Sequence, residues 1–371
     1  MTTGPERDLS VSDVREHWQT MVELGEALPG TDLATAADGL RAATWPADTR
    51  FAPIVIDTDI GGDPDDALAL VAAARHQPDL TLVLTADETG GTRSGAGQRA
   101  RFARWLLDNV GRADVATVAG ASAGGTDYFC VEGLTPAGVA GQPSGPAAVL
   151  DSVRELCRNT DGPIRWVGMA PMGNLAHIVE HAPELAARLQ VTQMGGALNY
   201  RHPDRAEHNI RLDVDAARQV LAAVADGRLA RPRLVTSDVT FTPQIGVDAD
   251  HPIHRTLAAA AEEDSGGWAS ILAAHLDHWY ASNYPSTLQH DALTLSAALG
   301  LPFVRSAATT VVLDEIGRMS TAPAGAPVRL SASADYPAFM TWLGTALDPA
   351  TPAGAALPAH VLPAHVARRP A

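Results

Sequence analysis

Short apolar runs alternate with helix-length segments along most of this chain, and the alternation limits the folds that it can adopt. The run Pro53–Ile56 is followed by the helical pattern of Ala67–Arg75, and the order recurs with Leu80–Thr85 and Gln98–Val110. Strands that alternate with such helices build βαβ units, whose parallel strands are covered on both faces. We therefore predict the α/β class, with a Rossmann-like, mostly parallel central sheet flanked by helices.

The alternation extends well beyond these first units. Further strands and helices are predicted, in chain order, at Val115–Ala119, Ala147–Arg158, Ile164–Val167, Asn174–His181, Leu189–Met194, Ala216–Val224 and Leu234–Thr236. Two later runs, Ala308–Leu313 and Val328–Ala332, are predicted to pair as strands before a closing helix at Pro337–Leu347. Because no change of composition interrupts residues 50–348, we predict that they form a single large domain.

Both ends of the chain differ from this region. Residues 1–49 are predicted to form a helical N-terminal extension, and residues 349–371, which are rich in proline and alanine, a flexible tail. No basic segment followed by an apolar run begins the chain, so no secretion signal is predicted. No stretch approaches the roughly 20 apolar residues of a membrane span. We therefore expect a cytoplasmic protein with no membrane partner.

Composition excludes several classes of function. The 371 residues include 27 Lys+Arg and 43 Asp+Glu, and the net charge of −16 argues against a nucleic-acid partner, which needs a basic face. The chain contains no lysine, which excludes a Schiff-base lysine and a Gly-Lys-Ser/Thr phosphate loop. Cys130 and Cys157 are too few for a disulfide framework or a four-thiolate metal site.

Five of the ten residues 57–66 are aspartates, and they directly follow the first predicted strand. Ligands of open parallel sheets bind beyond the carboxyl ends of the strands, which is where this segment lies. The five acids are Asp57, Asp59, Asp63, Asp65 and Asp66. We therefore expect the functional site of the domain at this position.

A structural role can explain three of these acids. Asp63 can cap a helix that begins with Pro64, and Asp65 and Asp66 can complement the helix dipole. That leaves two acids at the end of an apolar strand, where unpaired charge is costly. Converging carboxylates call for a cation, and oxygen ligands without histidine or cysteine favour Ca²⁺ or Mg²⁺ over zinc. A phosphatase of the haloacid-dehalogenase type also begins with Asp-x-Asp, but it needs a later lysine, which this chain lacks.

The acidic segment and four later segments resemble the inosine–uridine nucleoside hydrolases. The family's N-terminal signature resembles Asp57–Leu70, in a variant with two extra residues before the final Asp pair. The later segments follow in the family's order at Val167–Ala176, Met194–Gly196, Glu207–Asn209 and His290–Asp291. The resemblance covers about residues 50–348. It implies an α/β sandwich around a mostly parallel sheet, in a homodimer or homotetramer.

The resemblance also implies an activity and a cofactor. The family hydrolyses the N-glycosidic bond of nucleosides with a tightly held Ca²⁺, so the expected substrate is a nucleoside or a related N-ribosyl metabolite. The implied calcium ligands are Asp59, Asp66, Asp291 and the backbone carbonyl of Met169. Asp59 would also take a proton from the metal-bound water, and Asp57 would support the site from behind.

Further residues are implied as substrate contacts. Asp65, Glu207 and Asn209 would bind sugar hydroxyls. The nitrogenous leaving group must be stabilised, often by protonation, and His290 is the candidate acid. The alternative, which the sequence leaves open, is that His290 only orients Asp291.

Some positions depart from the family pattern, and they surround the expected sugar and base pocket. The family's Asn after the second strand is absent from Gly90-Gly91, and Phe129 stands where a His is usual. His208 replaces the Phe of Glu-Phe-Asn, and Asn199 is a loose candidate for another sugar contact. We therefore predict that Phe129, Tyr128 and His208 shape an altered pocket, and that common ribonucleosides are poor substrates.

Two other functions fit the same residues. A relative that kept the fold and metal but lost turnover would bind a nucleoside-like ligand without cleaving it. A glycosyl transferase would release a new glycoside instead of free ribose. The acids at positions 59, 66 and 291 count against the loss of turnover, and the transferase is left open.

Overall fold

The computed structural model describes residues 52–93, 97–160, 162–355 and 357, together with residues 20, 23–25, 27–35 and 37. The chain divides into two units, residues 1–49 and 50–371. In the first unit, helical backbone occurs at residues 23–25 and 32–35. The rest of the predicted helical extension, and the tail beyond residue 357, lie outside the described residues.

The second unit is built around strands that match the predicted alternation. The strands are β1 (Ile54–Thr58), β2 (Leu80–Asp87), β3 (Ala116–Ser122), β4 (Ile164–Gly168), β5 (Leu189–Met194), β6 (Arg233–Val235), β7 (Gly246–Val247), β8 (Thr287–Leu288), β9 (Val304–Leu313), β10 (Met319–Thr321) and β11 (Ala326–Ala334). Within the described residues, nine of them form one sheet in the order β10-β9-β11-β6-β5-β4-β1-β2-β3, and β7 pairs with β8 separately.

The sheet is parallel except at one edge. From β11 through β6, β5, β4, β1 and β2 to β3, each neighbouring pair is parallel. The predicted pairing of the late strands is confirmed, because β9 runs antiparallel to β11, and β10 antiparallel to β9. The prediction of a mostly parallel α/β sheet is therefore confirmed.

Helices connect the strands and cover both faces. They are α1 (Asp65–His76), α2 (Gln98–Val110), α3 (Pro146–Arg158), α4 (Gly173–His181), α5 (Pro183–Ala186), α6 (His208–Leu212), α7 (Val214–Ala225), α8 (Ser237–Thr240), α9 (Pro252–Glu263), α10 (Trp268–Ala281), α11 (His290–Ala298) and α12 (Tyr336–Ala346). The predicted helices agree with these bounds to within two residues. No prediction covered α9, α10 and α11. Residues 291–297 of α11 are all buried, so that helix shows no amphipathic period in the sequence.

The core consists of two apolar clusters separated by the sheet. Alternate residues of β1 belong to different clusters: Ile54 and Ile56 pack in one, and Val55 packs in the other. Successive side chains of a strand point to opposite faces, so both faces of β1 are covered. The five residues of β1 are buried, and β1 lies inside the sheet between β4 and β2, so the acidic segment follows an interior strand.

Residues after α12 are hydrogen-bonded to Arg75 of α1. The Arg75 guanidinium donates hydrogen bonds to the carbonyl oxygens of Ala346 and Thr351, and the amide of Gly354 donates to the Arg75 carbonyl at 2.8 Å. The first part of the predicted flexible tail is thus hydrogen-bonded to α1. In the ranges described above, no helix is both long and apolar enough to span a bilayer.

Candidate active site

The acidic segment lies where β1 ends and α1 begins, at the carboxyl edge of the sheet. Between them the backbone turns at Gly61, whose φ is +106°. A Cβ at this glycine would lie 2.9 Å from Cγ2 of Val131, so both the backbone angle and the space require glycine. This turn carries the chain from the end of β1 back to the first turn of α1.

Three carboxylates, those of Asp65, Asp66 and Asp291, meet at this edge. We call these three residues and Asp59 the acid floor. Asp65 and Asp66 lie in the first turn of α1, and Asp291 lies in the first turn of α11. One carboxylate oxygen from each of the three lies within 4.8 Å of the others. All four floor residues are at most 7% exposed. The amide of Asp291 also donates to Asp65 Oδ2 at 3.4 Å.

Burial and mutual repulsion make the floor a cation-binding arrangement. Burial raises the pKa of Asp65 to about 6 and that of Asp59 to about 7. Burial, followed by the charges of neighbouring aspartates, raises the pKa of Asp66 and Asp291 well above the ordinary range. Buried carboxylates that oppose one another are relieved by a cation, and an all-oxygen donor set suits a hard one. The residues therefore fit a calcium-type ion.

Hydrogen bonds behind the floor hold the acids in position. The Asn174 amide donates to Asp57 Oδ1 at 2.7 Å and accepts the Ala121 amide at 2.7 Å. Burial raises the pKa of Asp57 to about 7. Thr58 donates its hydroxyl to Asp66. Asp57 is thus held by Asn174 and does not line the cavity described below.

The proposed capping role of Asp63 is wrong. Pro64 occupies the N-cap position of α1, and no side chain caps this helix. The Asp63 carboxylate accepts a hydrogen bond from the Thr287 hydroxyl of β8. A cap could be expected from the local sequence, but a strand more than 200 positions later provides a partner.

A second polar group adjoins the floor. His208 Nε2 and Glu88 Oε2 are 2.8 Å apart. One side-chain nitrogen or oxygen atom from each of His208, Glu88 and Asp59 lies within 4.8 Å of the others. Burial lowers the pKa of His208, but its hydrogen bond to Glu88 and the Glu88 charge outweigh burial, so the pKa is raised. The Arg99 guanidinium joins two loops near this group. It donates to the carbonyl of Ile60, in the loop after β1, at 3.2 Å and to that of Tyr128, in the loop after β3, at 2.7 Å.

Glu207 and Asn209 lie at the start of α6. Glu207 caps this helix, accepting from the amides of Asn209 and Ile210, and it also accepts the Gly196 amide at 2.9 Å. The Asn209 side-chain amide donates to the Met169 carbonyl at 3.1 Å. The Met169 carbonyl therefore lies directly beside the residues expected to contact sugar.

His290 is half-buried, lines the cavity and lies next to the floor residue Asp291. Its Nδ1 lies 2.7 Å from the Thr240 hydroxyl, and its ring stacks on Phe241 with centroids 6.1 Å apart. Burial, followed by the charges of Arg201 and His208, lowers the pKa of His290 to about 3. His290 is therefore uncharged at neutral pH in this environment.

A cavity of about 400 Å³ opens above the floor. Residues at the carboxyl ends of five parallel strands line it, namely Asp59, Glu88, Met169, Met194 and Ser237. Of the residues expected at the site, the cavity wall includes Asp59, Asp65, Asp66, Tyr128, Met169, Asn199, Glu207, His208, Asn209, His290 and Asp291. Asn199 is exposed there, and its amide is bonded to Asp238.

Phe129, which was expected at the pocket, does not line this cavity. Its ring is 6% exposed and packs against the Arg99 guanidinium, 5.5 Å from the ring centroid, in the apolar core. The neighbouring residue Tyr128 faces the cavity instead, and its ring stacks on His208 at 5.8 Å. The loop thus presents the other of two adjacent aromatic residues.

Sequence reasoning missed several residues of the site. Glu88 was not identified, although it directly follows β2 and the rule for strand ends could have found it. Asn174 and Arg99 support the floor from helices α4 and α2, and no local pattern marks them. The arginines at the cavity, Arg201, Arg205 and Arg211, were not identified either.

Comparisons with known proteins agree with this architecture. The sequence profile of the inosine-uridine preferring nucleoside hydrolases matches residues 54–341. A pyrimidine-specific ribonucleoside hydrolase, RihA of Shewanella sp. (strain ANA-3), is 28% identical over 176 residues, which are 44% of this chain and 54% of the relative. The match therefore spans about half the length of that curated relative.

Solved structures resemble the fold over a longer range. A plant nucleoside hydrolase is 22% identical, with a TM-score of 0.61 over 80% of this chain and 99% of its own. The purine-preferring ribonucleoside hydrolase of Gardnerella vaginalis is 21% identical, with a TM-score of 0.60 over 80% and 98%. The profile match spans the sheet, the acid floor and the late His-Asp pair, so this chain belongs to the inosine-uridine preferring nucleoside hydrolase family.

Proposed function

We propose that this protein is a Ca²⁺-dependent hydrolase that cleaves the N-glycosidic bond of a nucleoside or a related N-ribosyl metabolite. The observation that carries the proposal is the acid floor. Four buried carboxylates converge at the bottom of a cavity of about 400 Å³ in a chain of this family. That volume falls within the size range of small-molecule pockets.

The chain offers four residues with oxygen ligands for the ion, which leaves coordination positions for water and sugar hydroxyls. Asp59, Asp66, Asp291 and the Met169 carbonyl would hold Ca²⁺. When bound, the ion supplies a Lewis acid that grips sugar hydroxyls and lowers the pKa of water. The Asn209 amide, which is hydrogen-bonded to the Met169 carbonyl, would keep that carbonyl oriented.

Other residues would bind and polarise the sugar. Asp65, Glu207 and Asn209 would accept or donate hydrogen bonds to its hydroxyls. Cleavage of an N-glycoside builds positive charge on the sugar ring, and the carboxylates of the floor stabilise that charge electrostatically. Asp59 would accept the proton of the attacking water, and Asp57 would fix the floor from behind through its bond with Asn174.

Two imidazoles are available to protonate the leaving group. His290 also lines the cavity, but its pKa is lowered to about 3, and its Nδ1 is hydrogen-bonded to Thr240. His208 lines the cavity, is 33% exposed and is paired with Glu88. We therefore propose that His208 supplies the proton, while His290 orients the neighbouring Asp291.

The test is the release of free ribose by the full-length protein. Inosine, uridine, adenosine and p-nitrophenyl riboside are incubated with calcium-loaded protein, and base and reducing sugar are measured separately. We expect equal amounts of base and ribose, loss of turnover on chelation of calcium, and recovery when calcium is restored.

Other outcomes would contradict parts of this proposal. Base released without free ribose indicates transfer to another acceptor. Binding without any cleavage, in protein that contains about one calcium per chain, indicates a binding protein. Full activity after complete chelation excludes the calcium. The cytoplasmic location and the homo-oligomeric state stay predictions from the sequence.

A further inference from the structure

One side of the cavity is basic although the protein is strongly acidic. Arg201 and Arg205 lie on the loop between β5 and α6, and Arg211 lies in α6. All three line the cavity, together with His208. We call these four residues the basic wall. The net charge of the chain is −16, so a cluster of cations facing one cavity is not a consequence of average composition.

The three arginines lack acidic partners. Many arginines of this protein pair with carboxylates, as Arg99 does with Asp87 and Arg112 with Asp114. Across the described part of the chain, no carboxylate lies within ion-pair distance of the guanidinium groups of the basic wall. Arg201 lies over the ring of Phe241, and Arg211 Nη2 lies 3.4 Å from His208 Nδ1.

The two sides of the cavity require opposite features of a ligand. The acid floor with its cation suits an uncharged polyhydroxylated sugar. The basic wall offers guanidinium groups, whose planar donor arrays match phosphate and carboxylate oxygens. A plain nucleoside would leave these donors without an anion.

We propose that the substrate carries an anionic group that the basic wall binds, in addition to the ribosyl group bound at the floor. This inference rests on the proposed function, because it is that function which places an N-ribosyl compound in the cavity. The anion is either a phosphate on the sugar or a carboxylate on the base. Both present oxygen atoms that accept paired hydrogen bonds from Arg201, Arg205 and Arg211.

The first experiment measures binding without turnover. Calorimetry on the calcium-loaded protein compares ribose 5-phosphate with ribose, and orotate with uracil. We expect at least one anionic compound to bind about ten- to hundredfold more tightly than its neutral partner, as expected for charge-assisted hydrogen bonds. The gain should weaken at high salt, since Arg201 and Arg205 are exposed.

Matched variants assign the gain to the wall. The double variant Arg201→Gln/Arg205→Gln should lose most of the preference for the anion while ribose and uracil bind as before. Arg154→Gln is the control, because Arg154 is an exposed arginine of α3 that pairs with Asp151 and does not line the cavity. The calcium content and the thermal unfolding of each variant are measured alongside.

The second experiment measures turnover of inosine, inosine 5′-monophosphate, uridine and orotidine. A preference for the monophosphate assigns the anion to the sugar, and a preference for orotidine assigns it to the base. Equal binding within both pairs, or a preference that survives the double variant, overturns the proposal. If inosine is cleaved and no anionic compound is preferred, the proposed hydrolase activity is supported and the proposed anion binding by the basic wall is wrong. If an anionic compound binds more tightly but no compound is cleaved, anion binding by the basic wall is supported and the proposed hydrolase activity is wrong.

Discussion

The acid floor and the basic wall face the same cavity but are built in different ways. The floor residues are buried and lie at the end of β1 and in the first turns of α1 and α11. Arg201 and Arg205 are exposed, and the wall as a whole comes from a loop and a five-residue helix. The proposed metal site is thus attached to buried ends of a strand and two helices, whereas the arginines proposed to bind an anion lie on a loop and a short helix.

This difference predicts that substitutions in the floor and in the wall act on different kinetic constants. Floor variants should lose turnover on every substrate, because they remove groups that act at the reacting bond. Variants of the three wall arginines should change the relative rates of charged and neutral substrates, because they remove binding interactions. The predictions below test that separation, beginning with the largest effect.

Asp59→Asn should reduce kcat by at least about a thousandfold on every substrate, since it removes a calcium ligand and the proton acceptor together. The measurement is steady-state turnover with calcium content determined on the same sample. Asp213→Asn is the matched control, because Asp213 caps α7 outside the cavity and asparagine caps equally well. If Asp59→Asn retains a tenth of the activity, the floor does not carry the chemistry.

The roles of His208, in the wall, and His290, beside the floor, can be distinguished by comparing two substrates. His208→Ala should lower kcat/KM for inosine by about a hundredfold, but by less than about fivefold for p-nitrophenyl riboside, whose leaving group needs little protonation. His290→Ala should affect both substrates equally, because an orienting residue acts on the floor whatever group departs. The reverse pattern would identify His290 as the acid, which is one of the two roles that the sequence left open for it.

The smallest expected effect concerns the packing behind the floor. His275 of α10 is fully buried, and its Nε2 lies 3.1 Å from the Gly62 carbonyl. Burial lowers the pKa of His275 from 6.5 to about 4. The unfolded chain therefore binds a proton below pH 6.5 that the folded protein does not bind until about pH 4. Stability from this residue is intact above pH 6.5 and falls between pH 6.5 and 4.

His275→Gln tests this relation, because glutamine keeps an N–H donor for Gly62 but does not titrate. The free energy of unfolding in urea is measured from pH 7 to 4 for both proteins. The stability of the wild type relative to the variant should fall by at most about 1.4 kcal/mol per pH unit in that range. If the free energies of unfolding of the two proteins depend on pH in the same way, His275 does not contribute to the loss of stability in acid.

Much of the fold could be predicted because its signals are local. Strand and helix periods identified β1 to β6, the pairing of β9 with β11, and six of the twelve helices named above. The region from residue 237 to residue 303 gave no such signal. There α11 is buried on all sides, so its sequence carries neither an amphipathic period nor a strand alternation.

The acid floor was predictable for a related reason. Charge at the end of an apolar strand is unusual enough to identify the site from the sequence, and the strand-end rule located it at the edge of the sheet. Asp291 was added only through the family resemblance. The structure brings its amide to Asp65, 226 positions earlier in the chain, because α11 packs against α1.

The sequence by itself determined the α/β class and the position of the acidic segment after β1, because both depend on patterns within a few residues. Tertiary structure alone decided which side chains meet across the cavity. It paired His208 with Glu88, 120 positions apart, placed Phe129 in the core with Tyr128 at the cavity, and gathered three arginines in the wall of the cavity that the acids line. Such contacts depend on the path of loops between elements, and that path follows from how the whole domain packs.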